Sequence, residues 1–294
     1  MSRKYRRFFR GRHRYADGRS IGGTDSCSNL SAAEAKALGV ELIPLTIVFG
    51  TESYLDEIEM SKEEFYRRLV AEKTMPKTSQ PSPEYFENLF SAAKETGDEV
   101  LLITLSSRLS GTYETAIQAK KRIGYEKVCV YDSEYVGECI RYLVDEALRH
   151  SRLPLGEVVK KLDALKKRIG VYAVVDTLEY LHKGGRLSRS VALIGSLLHI
   201  KPVATMKDGA VAVVGRARGV PKACSLIREL VEKDGIDENY PVYYGYALAN
   251  DNCRLLVSKL SADPERDLAR AKNLSPVIGT HIGPNCAYIM YIKK

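Results

Sequence analysis

Six consecutive residues, Val100-Leu101-Leu102-Ile103-Thr104-Leu105, leave this chain few folds to choose from. A nearly unbroken apolar run is what a strand buried on both faces requires, and such strands belong to parallel sheets covered by helices. The run empties into Ser106-Ser107-Arg108-Leu109-Ser110-Gly111, and a helix is predicted from Thr112 to Arg122. A strand-to-helix turn rich in Ser, Gly and free backbone N–H groups is where α/β proteins hold anions. A second hydroxyl-rich stretch lies upstream, Pro76-Lys77-Thr78-Ser79-Gln80-Pro81-Ser82, pinned by its prolines. We read the two loops as meeting to hold a carboxylate. The competing reading is helix capping, which Ser82 before Glu84 and Ser110 before Thr112 both suit.

The surrounding pattern supports an α/β fold. Before the central strand come a helix over Ser31–Leu38, a strand over Val40–Phe49 bent at Pro44, and a helix opened by the capping box Ser61-Lys62-Glu63-Glu64. A helix over Glu84–Thr96, a strand over Lys127–Ser133 and helices over Gly137–Arg149 and Pro154–Arg168 complete residues 21–168. This alternation predicts an N-terminal, mostly parallel sheet flanked by helices. Gly22 and Gly23 weaken its first strand and predict an irregular sheet edge. Residues 169–294 read as a second α/β domain with a mixed sheet. Its signals are a strand over Val171–Asp176, a hairpin turning at Asp208-Gly209, a helix over Pro221–Lys233, a strand over Pro241–Ala247 and a helix over Asn250–Leu260. Val277–His281 and Ala287–Ile292 read as closing strands. The apolar run Val191–Leu198 is expected as core or as a cavity floor.

Charge is informative only once it is located. Residues 1–20 hold eight cations against Asp17 alone, which is +7 of the chain's net +8. The folded body is therefore close to neutral, and the basicity belongs to a leader read as disordered or tag-like. Tyr5, Phe8, Phe9 and Tyr15 among its arginines keep nucleic acid or an anionic membrane open as a lesser alternative. No run approaches the ~18 apolar residues of a membrane span, so no integral membrane segment is expected. The six cysteines are scattered without a Cys-x-x-Cys pair, which suits reduced thiols in the cytoplasm and no metal site. Lys183-Gly184-Gly185-Arg186 lacks the Gly-Lys-Ser/Thr of a Walker loop, and no cofactor is expected.

Several of these stretches resemble the signatures of the DegV family of bacterial lipid-binding proteins. The two hydroxyl loops, Thr24-Asp25-Ser26, Tyr180–Ser188, Ile200-Lys201-Pro202-Val203 and Thr280-His281-Ile282-Gly283-Pro284 stand in the family's order from about Thr24 to the C-terminus. The resemblance implies two α/β domains holding one long-chain fatty acid between them, with no catalytic reaction. It places the fatty-acid contacts at Thr78 and Ser110, with Ser79, Ser107, Gly111 and His281 completing the site and Arg186 as a contact for a partner. It further implies a carrier that presents its ligand to a separate fatty-acid kinase for phospholipid synthesis. Besides Gly22 and Gly23, which stand where the family has β-branched residues, two positions depart from the family pattern: Glu57 in Tyr54-Leu55-Asp56-Glu57, and Asn285 after His281-Ile282-Gly283-Pro284, both where Gly is usual. The alternative is a serine-dependent acyl hydrolase or transferase using Ser110, with His281 as its base. No Gly-x-Ser-x-Gly elbow surrounds Ser110.

Overall fold

The computed structural model describes residues 19–72, 74–187 and 199–294. Most of the basic leader and all of Val191–Leu198 lie outside the described residues. The first half runs β1 (Arg19–Asp25), a 3-10 turn, α1 (Ala32–Leu38), β2 (Glu41–Ile43), β3 (Thr46–Phe49), β4 (Glu52–Leu55), α2 (Lys62–Ala71) and β5 (Lys77–Ser79). It continues through α3 (Pro83–Thr96), β6 (Glu99–Thr104), α4 (Thr112–Ile123), β7 (Val128–Asp132), α5 (Glu138–Arg149) and α6 (Leu155–Lys166). The second half runs β8 (Ile169–Val174), α7 (Glu179–Lys183), β9 (Ile200–Lys207), β10 (Ala210–Arg218), α8 (Val220–Asp234) and β11 (Tyr243–Tyr246). It closes with α9 (Asp251–Leu260), α10 (Pro264–Arg270), β12 (Lys272–Asn273), α11 (Pro276–Ile282) and β13 (Ala287–Ile292).

The molecule is α/β throughout. Strands β2-β1-β6-β7 form a wholly parallel sheet. Its β6 is the apolar run of the sequence. Val100 and Leu102 pack with Phe86 and Phe90 of α3 and Ala116 of α4, while Leu101 and Ile103 pack on the other face with Ile140 and Leu143 of α5. Both faces are covered, which is why the run shows no alternation. A six-stranded mixed sheet, β10-β9-β8-β13-β11-β12, carries the second half. Helix α5 lies against both sheets and is buried on most of its circumference. Tyr142 on α5 donates to the carbonyl of Met290 on β13 at 2.9 Å, tying the halves together.

Three expectations need correction. The stretch Val40–Phe49 is two strands in different sheets: β2 joins the parallel sheet, and β3, beyond Pro44, pairs with β4 and β5. The glycine-bearing β1 is irregular, with a register shift between Ser20 and Gly23, but it is an interior strand. Glycine is required there because a β-carbon at Gly22 would stand 2.2 Å from Val100 Cγ1. Finally, Val277–His281 is not a strand but the body of α11. Ser275 in extended conformation, Pro276 in the first turn and Gly283 after the last are helix start and stop signals that outweigh the β-branched Val277, Ile278 and Thr280.

Candidate functional site

The two hydroxyl loops converge. Antiparallel pairing sets Thr78 of β5 opposite Ile47 of β3, a fully buried residue, and so anchors the first loop to the core. The second loop leaves β6 and enters α4, with Gly111 at the N-cap. Thr78, Ser79, Ser110 and Gly111 all line one cavity of about 450 Å³, within the ~300–1,000 Å³ range of small-molecule pockets. Its polar end is open, for Ser79 is exposed and Thr78 and Ser110 are half-buried. Its other walls are buried and apolar, among them Leu45, Leu105 and Val277.

His281, in the last turn of α11, reaches the same cavity. Its Nε2 stands 2.8 Å from Thr78 Oγ1, and its Nδ1 is buried without a hydrogen-bond partner among the described residues. The ring packs on Gly184, where a β-carbon would come within 2.4 Å of Nδ1. Burial, and then the charge of Arg186, lower its pKa to about 4, so the imidazole is neutral at physiological pH. Arg186 also lines the cavity. Its Nε donates to the Leu109 carbonyl at 3.0 Å and one Nη donates to the Gly184 carbonyl. Among the described residues no carboxylate pairs with it.

Ser110 Oγ accepts from the Thr112 N–H at 3.3 Å and lies 2.9 Å from Thr112 Oγ1. It is thus partly a cap while it faces the cavity. Ser82, the other capping candidate, makes no side-chain cap bond. Ser107 is the one candidate set apart: it does not line the cavity, and its exposed residue is held by a bond from its N–H to Asp132 Oδ1 at 3.1 Å. Sequence reasoning missed Gln80, Leu109 and Cys27 as lining residues. Arg186, expected as a contact for a partner, lines the cavity as well.

The wall behind the hydroxyls is built by Asp25. Fully buried, it accepts from the Leu105 N–H at 2.6 Å and the Cys27 N–H at 3.0 Å, joining the carboxyl ends of β1 and β6. Burial outweighs these bonds and raises its pKa to about 7. Burial, with the charges of Asp25 and Asp56 next, also pushes the Cys27 thiol well up, so it lines the cavity as an inert apolar surface. The two departures from the family pattern both fall at left-handed backbone positions. Glu57 has φ 62° and Asn285 φ 61°, the left-handed conformation that glycine adopts most easily and asparagine tolerates. No helix among the described residues is long and apolar enough to cross a membrane, and no group of His, Cys, Asp and Glu among them is placed to hold a metal.

An α/β frame thus carries a cavity with apolar walls, neutral hydroxyls at its open end and a cation beside them, the make-up of a small-molecule pocket. The sequence profile described as "Uncharacterised protein, DegV family" matches residues 23–294, and the chain belongs to the DegV family. A DegV domain-containing protein of Halalkalibacterium halodurans is 34% identical over 276 residues, covering 92% of this chain and 98% of its own length. Among solved structures, a DegV family protein from Thermus thermophilus described for fatty acid binding aligns with a TM-score of 0.80 at 30% identity, over 92% of this chain and 98% of that one. A stearic acid-binding protein from Eubacterium ventriosum aligns with a TM-score of 0.79 at 27% identity, over 92% and 97% of the two chains.

Proposed function

We propose that this chain binds one long-chain fatty acid, with the carboxylate held by Thr78 and Ser110 and the tail in the apolar cavity between the two halves. The observation that carries this reading is the convergence of Thr78, Ser110 and His281 on one cavity. Burying the tail contributes ~0.8 kcal/mol per methylene, roughly ten kcal/mol for a full chain before the costs of association. The head must keep its hydrogen bonds for that gain to survive.

The hydrogen-bond pattern favours one tautomer of His281. A buried donor without a partner is costlier than an unused lone pair, so the orphaned Nδ1 is the unprotonated nitrogen. Nε2–H then donates to Thr78 Oγ1, which leaves the Thr78 hydroxyl hydrogen for the carboxylate. Ser110 supplies the second hydroxyl, Ser79 and Gly111 border the head, and Arg186 offers a positive field without closing over it. The carboxylate stays at the open end, where a separate kinase in the cytoplasm would meet both it and Arg186. In this reading the protein is a carrier, not an enzyme. Against the alternative of an acyl hydrolase, His281 Nε2 is engaged by Thr78 and the hydroxyl beside Ser110 is that of Thr112.

Native mass spectrometry of the purified protein tests the proposal. It should show a mass increment of one acyl chain that exchanges with added palmitate; a mass that stays at the bare chain in the presence of palmitate overturns it.

A further inference from the structure

Gln80, the residue after β5 in the first hydroxyl loop, reaches across to the second. Its Nε2 donates to Thr115 Oγ1 at 2.5 Å, in the first turn of α4, where Thr115 is buried. Its Oε1 lies against Gly111, so closely that a β-carbon there would come within 2.0 Å of it. Gly111 has φ −74°, a conformation open to any residue, so the constraint on this position is space and not backbone shape. The Thr115 N–H in turn donates to the Gly111 carbonyl at 2.9 Å, which makes the receiving surface a closed turn of helix. One amide therefore bonds at one end and packs at the other onto the element that presents Ser110, while its own backbone lies two residues beyond Thr78.

We propose that Gln80 is a positioning residue: it braces the first hydroxyl loop against the second and sets the gap across which Thr78 and Ser110 share one carboxylate. The inference rests on the fatty-acid reading above. The brace is made of protein groups alone, so the two hydroxyls are spaced before a ligand arrives and little ordering remains to be done on binding. Gln80 acts through Thr78 and Ser110, and its effect belongs to the head group and not to the tail.

The test compares palmitate with methyl palmitate, which shares the tail and lacks the charged head. Dissociation constants are measured for the full-length protein and for Gln80→Ala, Gly111→Ala and the double variant, each checked for folding by thermal melting. Gln80→Ala should cut the preference for the acid over the ester by about tenfold, the worth of one hydrogen bond to a charged group, with the acid losing more affinity than the ester. Gly111→Ala displaces the amide from the other side and should do the same alone, yet add nothing in the Gln80→Ala background. If Gln80→Ala fails to fold, Gly111→Ala carries the comparison. Parallel loss of acid and ester, or an unchanged preference in a folded variant, overturns the inference and leaves fatty-acid binding intact. A wild-type protein that does not bind palmitate overturns both.

Discussion

Thr78 and His281 are 203 positions apart in the chain, and their Oγ1 and Nε2 atoms meet at 2.8 Å. The bond joins a strand of the first half to a helix of the second, across the opening of the cavity. It orders both partners before any ligand is present and gives the cavity a polar end.

Removing either hydroxyl should weaken fatty-acid binding without emptying the fold. Thr78→Val keeps the shape of the side chain and Ser110→Ala loses one oxygen. Each should lower palmitate affinity by about tenfold or more, as hydrogen bonds to charged groups are worth ~1.5–3 kcal/mol. Isothermal titration measures this directly, and Ser107→Ala, outside the cavity, should leave affinity unchanged.

Neutral His281 makes a prediction about acid. Its folded pKa of about 4 lies below the ordinary 6.5, so between those values the unfolded chain takes up a proton that the folded one refuses. Its contribution to stability is full above pH 6.5 and is lost progressively as pH falls toward 4. Chemical denaturation midpoints of His281→Gln should therefore fall less between pH 6.5 and 4.5 than those of the wild type.

Asp56 acts with the opposite sign. It is fully buried, and burial, followed by the neighbouring Glu57 charge, raises its pKa to about 8. The folded state holds this proton after the unfolded state has lost it, so stability drains away as pH rises from about 4 through 8. Asp56→Asn should gain stability relative to wild type between pH 5.5 and pH 8.5 in the same denaturation experiment. A difference that does not change with pH would show that Asp56 is ionised in the folded protein.

Much of this arrangement was legible in the sequence. The unbroken β6 run announced a strand covered on both faces, and the Ser and Thr positions of the two loops announced a polar rim. Helix α11 was not, because Val277, Ile278 and Thr280 carry strand propensity and their burial against Phe65 and Tyr66 comes only from the tertiary structure. Nor was Gln80: between Ser79 and Pro81 it reads as an ordinary loop residue, and the space at Gly111 that receives it exists only once two distant segments have met. Arg186 sits in a Gly-rich turn whose local pattern fits an outward cation as well as an inward one.

A charged staple across the halves should be measurable as stability. Glu34 on α1 meets Arg141 on α5 at 2.8 Å and Lys272 on β12 at 2.5 Å. Burial opposes its charge, but the bonds from Lys272 and Ser31 prevail and hold its pKa at about 2. The stabilisation is complete above pH 4.5 and is lost as pH falls toward 2. Glu34→Gln should cost about 1 kcal/mol at pH 7, allowing for its partial exposure. The difference from wild type should shrink by pH 3.

The most direct measurement is a crystal structure of the protein grown with palmitate. The carboxylate is expected within hydrogen-bond distance of both Thr78 Oγ1 and Ser110 Oγ, with the chain running into the wall formed by Leu45, Leu105 and Val277. A carboxylate bound elsewhere, or a cavity that stays without lipid at saturating palmitate, would contradict that placement.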